Sequence, residues 1–229
     1  AGVRPSLADP FLYTEVNIKG TLNILEAAAQ TKVKRFIFGS SSSVYGINSK
    51  VPFSENDPLL APISPYAATK LAGEAFCHSY AHLYKMPTVA LRFFTVYGPR
   101  QRPDLAIYKF THCILEGKPI TVFGDGSTKR DYTYVGDIIQ GILNALTYRP
   151  IRYYEVFNLG NSNSILLSDL IKMLEAALEQ KAKIEHRPLQ AGDVPATWAD
   201  IEKAERLLGF HPTTTLEEGL KIFYRWLRK

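Results

Sequence analysis

The chain has 229 residues, of which 46% are hydrophobic, 12% aromatic and 21% charged, a globular balance that excludes a disordered or collagen-like polymer. Two cysteines exclude a disulfide framework or a four-thiolate metal site and fit a reducing, cytoplasmic setting, while no apolar run reaches the roughly 18 residues a membrane span needs. The formal charge of +5 favours an anionic small-molecule substrate, and the scattered basic residues do not form a nucleic-acid-binding run.

In chain order, residues 10–30 repeat Val16, Ile18, Leu22, Leu25 and Ala29 at helical spacing. A strand at 35–40 follows, then a Ser/Asn/Pro/Gly-rich loop over 40–65, a second long helix at 66–84 and a strand at 88–94. This alternation predicts an α/β fold, a doubly wound parallel sheet of Rossmann-like type lacking its N-terminal part, with a smaller C-terminal α/β substrate lobe. Further on, the pattern predicts a helix near 104–116, strands at 120–123 and 131–135, a helix at 136–147, a strand at 155–160 and a helix capped by Ser168. Residues 187–197 read as loop, and amphipathic helices are expected near 200–208 and 215–228. The expected division is 1–99 with 130–164 in one domain, and 100–129 with 165–229 in the lobe.

Tyr66 and Lys70 lie four apart, so their side chains share one helix face. A nearby ammonium favours the phenolate and lowers a tyrosine pKa toward a value useful for a general base. Chance alone supplies such a pair in a chain with this many tyrosines and lysines, so context has to carry the assignment. The context is the serine cluster at 40–43, placed where the strand ends, and in doubly wound sheets ligands bind at the carboxyl ends of strands. Glu74, His78 and His82 recur every four residues, but without a further ligand pattern they read as a solvated or subunit-facing stripe.

The segments AGVRPS, NIKGTL, FIFGSSSSVYG, PYAATKLAGE, LRFFTVYGPRQRPD, DGSTKRDYTYVGD, GDVPATWADIEKAERLLGF and LEEGLKIFYRW resemble the extended short-chain dehydrogenase/reductase family. Within it the resemblance is to the NAD-dependent nucleotide-sugar epimerases and dehydratases, over essentially the whole chain. It implies NAD as cofactor, Tyr66 as catalytic base, Lys70 as the residue that holds the nicotinamide ribose and tunes Tyr66, and Ser41 as hydroxyl relay. Asn17, Ser40 and Phe93 are the further expected cofactor contacts.

Related dehydratases carry an Asp-Glu pair, and decarboxylases a Glu, where this chain has Ser42-Ser43. That difference leaves oxidation followed by re-reduction, which is epimerisation. The segment TVYGPRQRPD looks most like UDP-glucuronate 4-epimerases, which makes Arg102 the expected clamp on the sugar carboxylate, with Thr95, Ser42 and Ser43 as neutral donors. Arg130 resembles the diphosphate-binding arginine, Asp193 the uridine-ribose ligand, and Gln190 stands where galactose-type epimerases have Arg. Val122 and Phe123 are expected to line the uracil. The resemblance also implies a homodimer through helices 10–30 and 66–84. A galactose-type epimerase and an inactive nucleotide-sugar-binding module are the alternative readings. The second arises because the chain opens at Ala1 without Met and shows no Gly-rich pyrophosphate loop, so it is expected to be the last three quarters of a longer protein.

Overall fold

The computed structural model describes residues 2–47, 50–59, 61–189, 192 and 194–229. A short helix α1 (Val3–Ala8) leads into a continuous helical rod made of α2 (Pro10–Tyr13), a π-helical turn (Thr14–Lys19) and α3 (Gly20–Gln30). Asp9 starts the rod by accepting the Leu12 N–H at 2.9 Å, with Pro10 at the first helical position. Strand β1 (Phe36–Ser41) follows, then a 3₁₀ turn (Ser42–Tyr45) and the 20-residue helix α4 (Pro65–Tyr84), capped by Ser64, whose Oγ accepts the Ala67 N–H at 3.1 Å.

Strand β2 (Thr88–Phe93) pairs in parallel with β1 and, on its other side, with β6 (Tyr154–Leu159), giving a sheet of order β1-β2-β6. Side chains alternate across this sheet. Phe38 and Ala90 pack with Leu25, Ala28 and Cys77 on the side of α3 and α4. Val89, Leu91, Phe157 and Leu159 pack on the opposite face against α6 (Val135–Thr147) and α8 (Glu202–Leu208). The remaining elements are β3 (Thr95–Tyr97), α5 (Ala106–Leu115), β4 (Pro119–Phe123), β5 (Lys129–Tyr134), β7 (Ser164–Leu166), α7 (Leu167–Leu178), β8 (Lys183–Arg187) and α9 (Leu216–Leu227). They form a three-stranded sheet β3-β5-β7, a parallel pair β4-β8, and a second apolar cluster around Ile107, Ile120, Tyr132, Leu174 and Phe223. Ala199, Ile201, Ala204, Leu208 and Phe210, although late in the chain, belong to the first cluster. No helix of the described residues is long and apolar enough to cross a membrane.

Several local expectations need correction. Strands β3 and β7 are three residues each, too short to show a period of two. Strand β8 falls partly in the expected loop, and its five residues are all exposed, so no buried face marks it in the sequence. Ser168 does not cap α7: Leu166 occupies the cap without a side-chain bond, and Ser168 instead donates its backbone N–H to Gly126 O at 3.2 Å. Glu74 is not solvated; it is buried against Arg92 with its carboxylate oxygen 2.7 Å from the guanidinium. His78 and His82 are exposed.

Helix α4 approaches the sheet most closely at Gly73, where an added Cβ would stand 2.4 Å from Phe38 Cζ. The Gly73→Ala substitution therefore overpacks the contact by more than the helix propensity it gains. A net loss of about 1–2 kcal/mol is expected in urea denaturation; an unchanged or raised stability would place α4 further from β1.

Candidate active site

The strand ends Ser41 and Phe93 are register partners in the parallel sheet, so β1 and β2 deliver their last side chains at one level. Beyond them the 3₁₀ turn brings Ser42 and Ser43 around, and the chain leaves it through Gly46 at φ 57°. Only glycine fits there, since a Cβ would meet Ala61 O at 1.8 Å.

Ser64 and Pro65 start α4 so that Tyr66 and Lys70 face the strand ends. The Tyr66 backbone N–H donates to Ser6 Oγ at 3.1 Å, which fixes the helix start against α1. Ser41 lies beside the Tyr66 phenol, close enough for its hydroxyl to favour the phenolate, and Ser41 Oγ donates to Ser43 Oγ at 3.1 Å. The Tyr13 ring meets that of Tyr66 edge-on at 6.1 Å. Burial pushes the phenol above its ordinary pKa, while the Ser41 hydroxyl and the Arg102 charge pull it back.

The expected lowering of this pKa by Lys70 is not what this arrangement shows. Lys70 Nζ lies 5.9 Å from the Tyr66 ring centroid and donates to Gly39 O at 2.7 Å, and burial pushes its own pKa down. The donor set of phenol, hydroxyl and ammonium at the carboxyl end of a parallel sheet nonetheless suits the nicotinamide half of NAD.

Two adjoining cavities open beside this group and share Val3, Thr95 and Arg130. The smaller, of about 180 Å³, is lined by Ser42, Ser43, Gly46 and Thr197 among others. The larger, of about 310 Å³, collects Arg4, Arg102, Lys109 and Arg130, and among its described lining residues the one carboxylate is Asp104. Asp104 Oδ2 lies 3.0 Å from Arg102 Nη2. The Arg4 guanidinium stands 4.7 Å above the Phe123 ring.

The expected site residues divide accordingly. Ser41 and Tyr66 meet; Thr95, Arg102 and Arg130 share the larger cavity; Ser42, Ser43, Thr95 and Arg130 share the smaller. The Val122 side chain turns into the core at 1% exposure, while Thr121 and Phe123 on either side face the larger cavity, as strand alternation requires. The Ser40 side chain turns away from Ser41 and donates to Glu74 Oε1 at 2.5 Å. Asn17 bridges the two long helices, its Nδ2 donating to Thr69 Oγ1 at 3.0 Å. Phe93 is half-buried, with a ring atom 3.3 Å from where a Cβ on Gly39 would stand. Gln190 and Asp193 lie outside the described residues. Arg4, Lys109 and Thr121 line the larger cavity and were not foreseen; the signal for Arg4 was its place in the AGVRPS segment.

Asp131, next to Arg130, is fully buried and accepts the backbone N–H groups of Asn161 at 2.7 Å and Ala199 at 3.1 Å, with Thr133 Oγ1 at 3.1 Å. It thereby ties β5 to the segment that follows the smaller cavity's Val194 and Thr197. Burial outweighs these donors and pushes its pKa up to about 6. A carboxyl with a raised folded-state pKa binds protons more tightly when folded. Its contribution is therefore most favourable below the unfolded value near 4 and declines as pH rises toward about 6. The wild-type minus Asp131→Asn stability difference should fall by up to roughly 3 kcal/mol across that window in denaturation at stepped pH. A flat difference would show that the carboxyl titrates normally.

The family profile described as GDP-mannose 4,6 dehydratase matches residues 1–223. An uncharacterized protein of Methanocaldococcus jannaschii is 49% identical over 226 residues, 99% of this chain and 69% of that protein. The UDP-glucuronate 4-epimerase of Thermodesulfobacterium geofontis is 44% identical over 230 residues, 100% of this chain and 70% of its own length. A crystal structure of the Bacillus cereus UDP-glucuronic acid 4-epimerase in complex with UDP-glucuronic acid and NAD superposes with a TM-score of 0.94 at 42% identity, covering 100% of this chain and 72% of that one. With an extended short-chain dehydrogenase/reductase sheet and matches on this scale, the chain belongs to the GDP-mannose 4,6 dehydratase family.

Proposed function

We propose that this protein is an NAD-dependent UDP-sugar 4-epimerase, and that its sugar is UDP-glucuronate, converted to UDP-galacturonate through a 4-keto intermediate. The observation that carries the reading is the chemistry of the two cavities. Their described lining holds one carboxylate, Asp104, already engaged by Arg102. Elimination of water or loss of carbon dioxide calls for an additional acid or base beside the sugar, whereas epimerisation needs one proton shuttle and a hydride carrier.

Tyr66 Oη takes the proton of the sugar 4-hydroxyl and returns it after the ring has turned over, with Ser41 passing its hydrogen bond between phenol and sugar oxygen. NAD, when bound, supplies the acceptor and donor for the C4 hydride, and Lys70 would hold its ribose. Arg130 and the other cations of the larger cavity suit the diphosphate, and Phe123 suits the uracil. A 4-ketone with a carboxylate on C5 is a β-keto acid. Arg102, with Thr95, Ser42 and Ser43, keeps the bond to that carboxylate near the carbonyl plane, which denies it overlap with the π system and suppresses decarboxylation.

The reading includes the two-part division of the chain at 1–99 with 130–164 against 100–129 with 165–229. It also includes a homodimer through the helices at 10–30 and 66–84, supported by the exposure of Phe11, Val16, Ile24 and Leu83 on them. Light scattering should give a dimer that Phe11→Glu with Leu83→Glu converts to monomer.

The test is chromatographic separation of UDP-glucuronate from UDP-galacturonate after incubation with the protein and NAD. Tyr66→Phe should lower kcat by about 10²–10⁴-fold. Arg102→Ala should weaken use of UDP-glucuronate far more than that of UDP-glucose; equal loss for both would sink the carboxylate assignment, and faster turnover of UDP-glucose by the wild type would make this a galactose-type epimerase.

A further inference from the structure

Directly beneath the strand ends runs a polar row across the sheet. Ser40, Arg92 and Asn158 are register partners on β1, β2 and β6, each one residue before the strand's last position. On the same face the next row, Phe38, Ala90 and Val156, is apolar. Arg92 is 3% exposed and Glu74 5%. The guanidinium grips the carboxylate twice, Nε to Oε1 at 2.9 Å and Nη2 to Oε2 at 2.7 Å.

The remaining bonds run to the pieces that carry the site. Ser40 donates to Glu74 Oε1 at 2.5 Å, Arg92 Nη1 donates to Tyr45 Oη at 2.9 Å, and Tyr45 Oη donates to Asn158 Oδ1 at 2.7 Å. Each member adjoins a residue already placed at the site. Ser40 precedes Ser41, Arg92 precedes Phe93, Tyr45 closes the turn that begins with Ser42 and Ser43, and Glu74 lies one helical turn beyond Lys70.

An apolar row of similar volume would serve stability as well as this one or better, because two charges have been taken out of water. What an apolar row lacks is direction, since van der Waals contact leaves a helix free to slide or roll over a sheet, whereas a two-pronged guanidinium–carboxylate pair fixes both distance and rotation.

We propose that Glu74 and Arg92, with Tyr45, are positioning residues that lock the first turns of α4 against the ends of β1 and β2, and so hold the Tyr66 phenol beside the Ser41 hydroxyl. The inference deepens the epimerase reading and takes from it the roles of Tyr66 and Ser41. The groups around the Tyr66 phenol are Ser41 from β1, Tyr13 from the rod, Arg102 and, on its own helix, Lys70. Loosening the lock draws Tyr66 away from Ser41, and because the Ser41 hydroxyl favours the phenolate, the phenol should then titrate at still higher pH.

The test follows the Tyr66 resonance of the full chain, labelled with ¹³C-tyrosine and assigned with Tyr66→Phe, through the alkaline limb of its titration, beside thermal unfolding. Glu74→Gln with Arg92→Leu removes both charges together and leaves no lone charge in the core; Tyr45→Phe removes one hydroxyl and keeps the ion pair. Both should unfold cooperatively, with the Tyr66 acid constant lowered at least about threefold in the double variant. In the NAD-loaded enzyme kcat should fall about tenfold at a nearly unchanged KM. A folded double variant whose Tyr66 titration matches the wild type overturns the proposal. Should that variant fail to fold, Tyr45→Phe decides by the same resonance. The titration requires no substrate, so a wild type that epimerises nothing would sink the proposed function while the positioning role is still judged.

Discussion

The parallel register of β1, β2 and β6 is the constraint on which the rest of the structure depends. Parallel strands that start level also end level, so Ser41 and Phe93 emerge together at one rim of the sheet. A hydrophobic sheet buried on both faces then requires helices on each side. The helix over Phe38 and Ala90 is α4, whose first turn carries Tyr66 and Lys70 to that same rim. The meeting of phenol, hydroxyl and ammonium is thus a consequence of strand register and helix length together.

Electrostatics grades from this rim outward. Around Tyr66 the walls are aromatic and hydroxylic, and burial favours the neutral phenol. Farther out, the cavity wall becomes cationic through Arg4, Arg102, Lys109 and Arg130. A ligand with an anionic middle or end and a neutral, hydroxyl-rich reacting part matches that gradient, since the charged part supplies attraction and the neutral part meets a site where a proton can be held. Family membership and site chemistry therefore point the same way from independent observations: one rests on the whole chain, the other on about a dozen side chains.

Two buried carboxylates show how polar groups are used below the surface. Glu74 meets a guanidinium and stays within a closed network, whereas Asp131 meets backbone N–H groups and one hydroxyl, and burial governs its titration. Both tie distant segments together. Asp131 links β5 to residues 161 and 199, and Glu74 links α4 to two strands. Buried carboxylates thus fasten together segments that lie far apart in sequence, beside the cavities they help to shape.

Much of this was legible in the sequence. The period of 3.6 over 10–30 and 66–84, the buried strands at 35–40 and 88–94, and the serine cluster after the first of them are local features, set by side-chain periodicity and turn chemistry. The motif segments carry the family because they hold residue types at fixed spacing along the chain. What the sequence left open needed a third dimension. Ser40 and Ser41 are indistinguishable in a serine run, and only strand alternation sends one to Glu74 and the other to Tyr66. Val122 and Phe123 are equally apolar, and only the packing of β4 decides which of them faces the cavity. Glu74 shares a helix stripe with two exposed histidines, and it is buried because Arg92 stands opposite, 18 residues away in the chain. Sequence by itself determined which elements form and which chemical groups are available, because those follow from neighbours along the chain; tertiary structure alone decided which groups meet, because burial and charge pairing are set by neighbours in space.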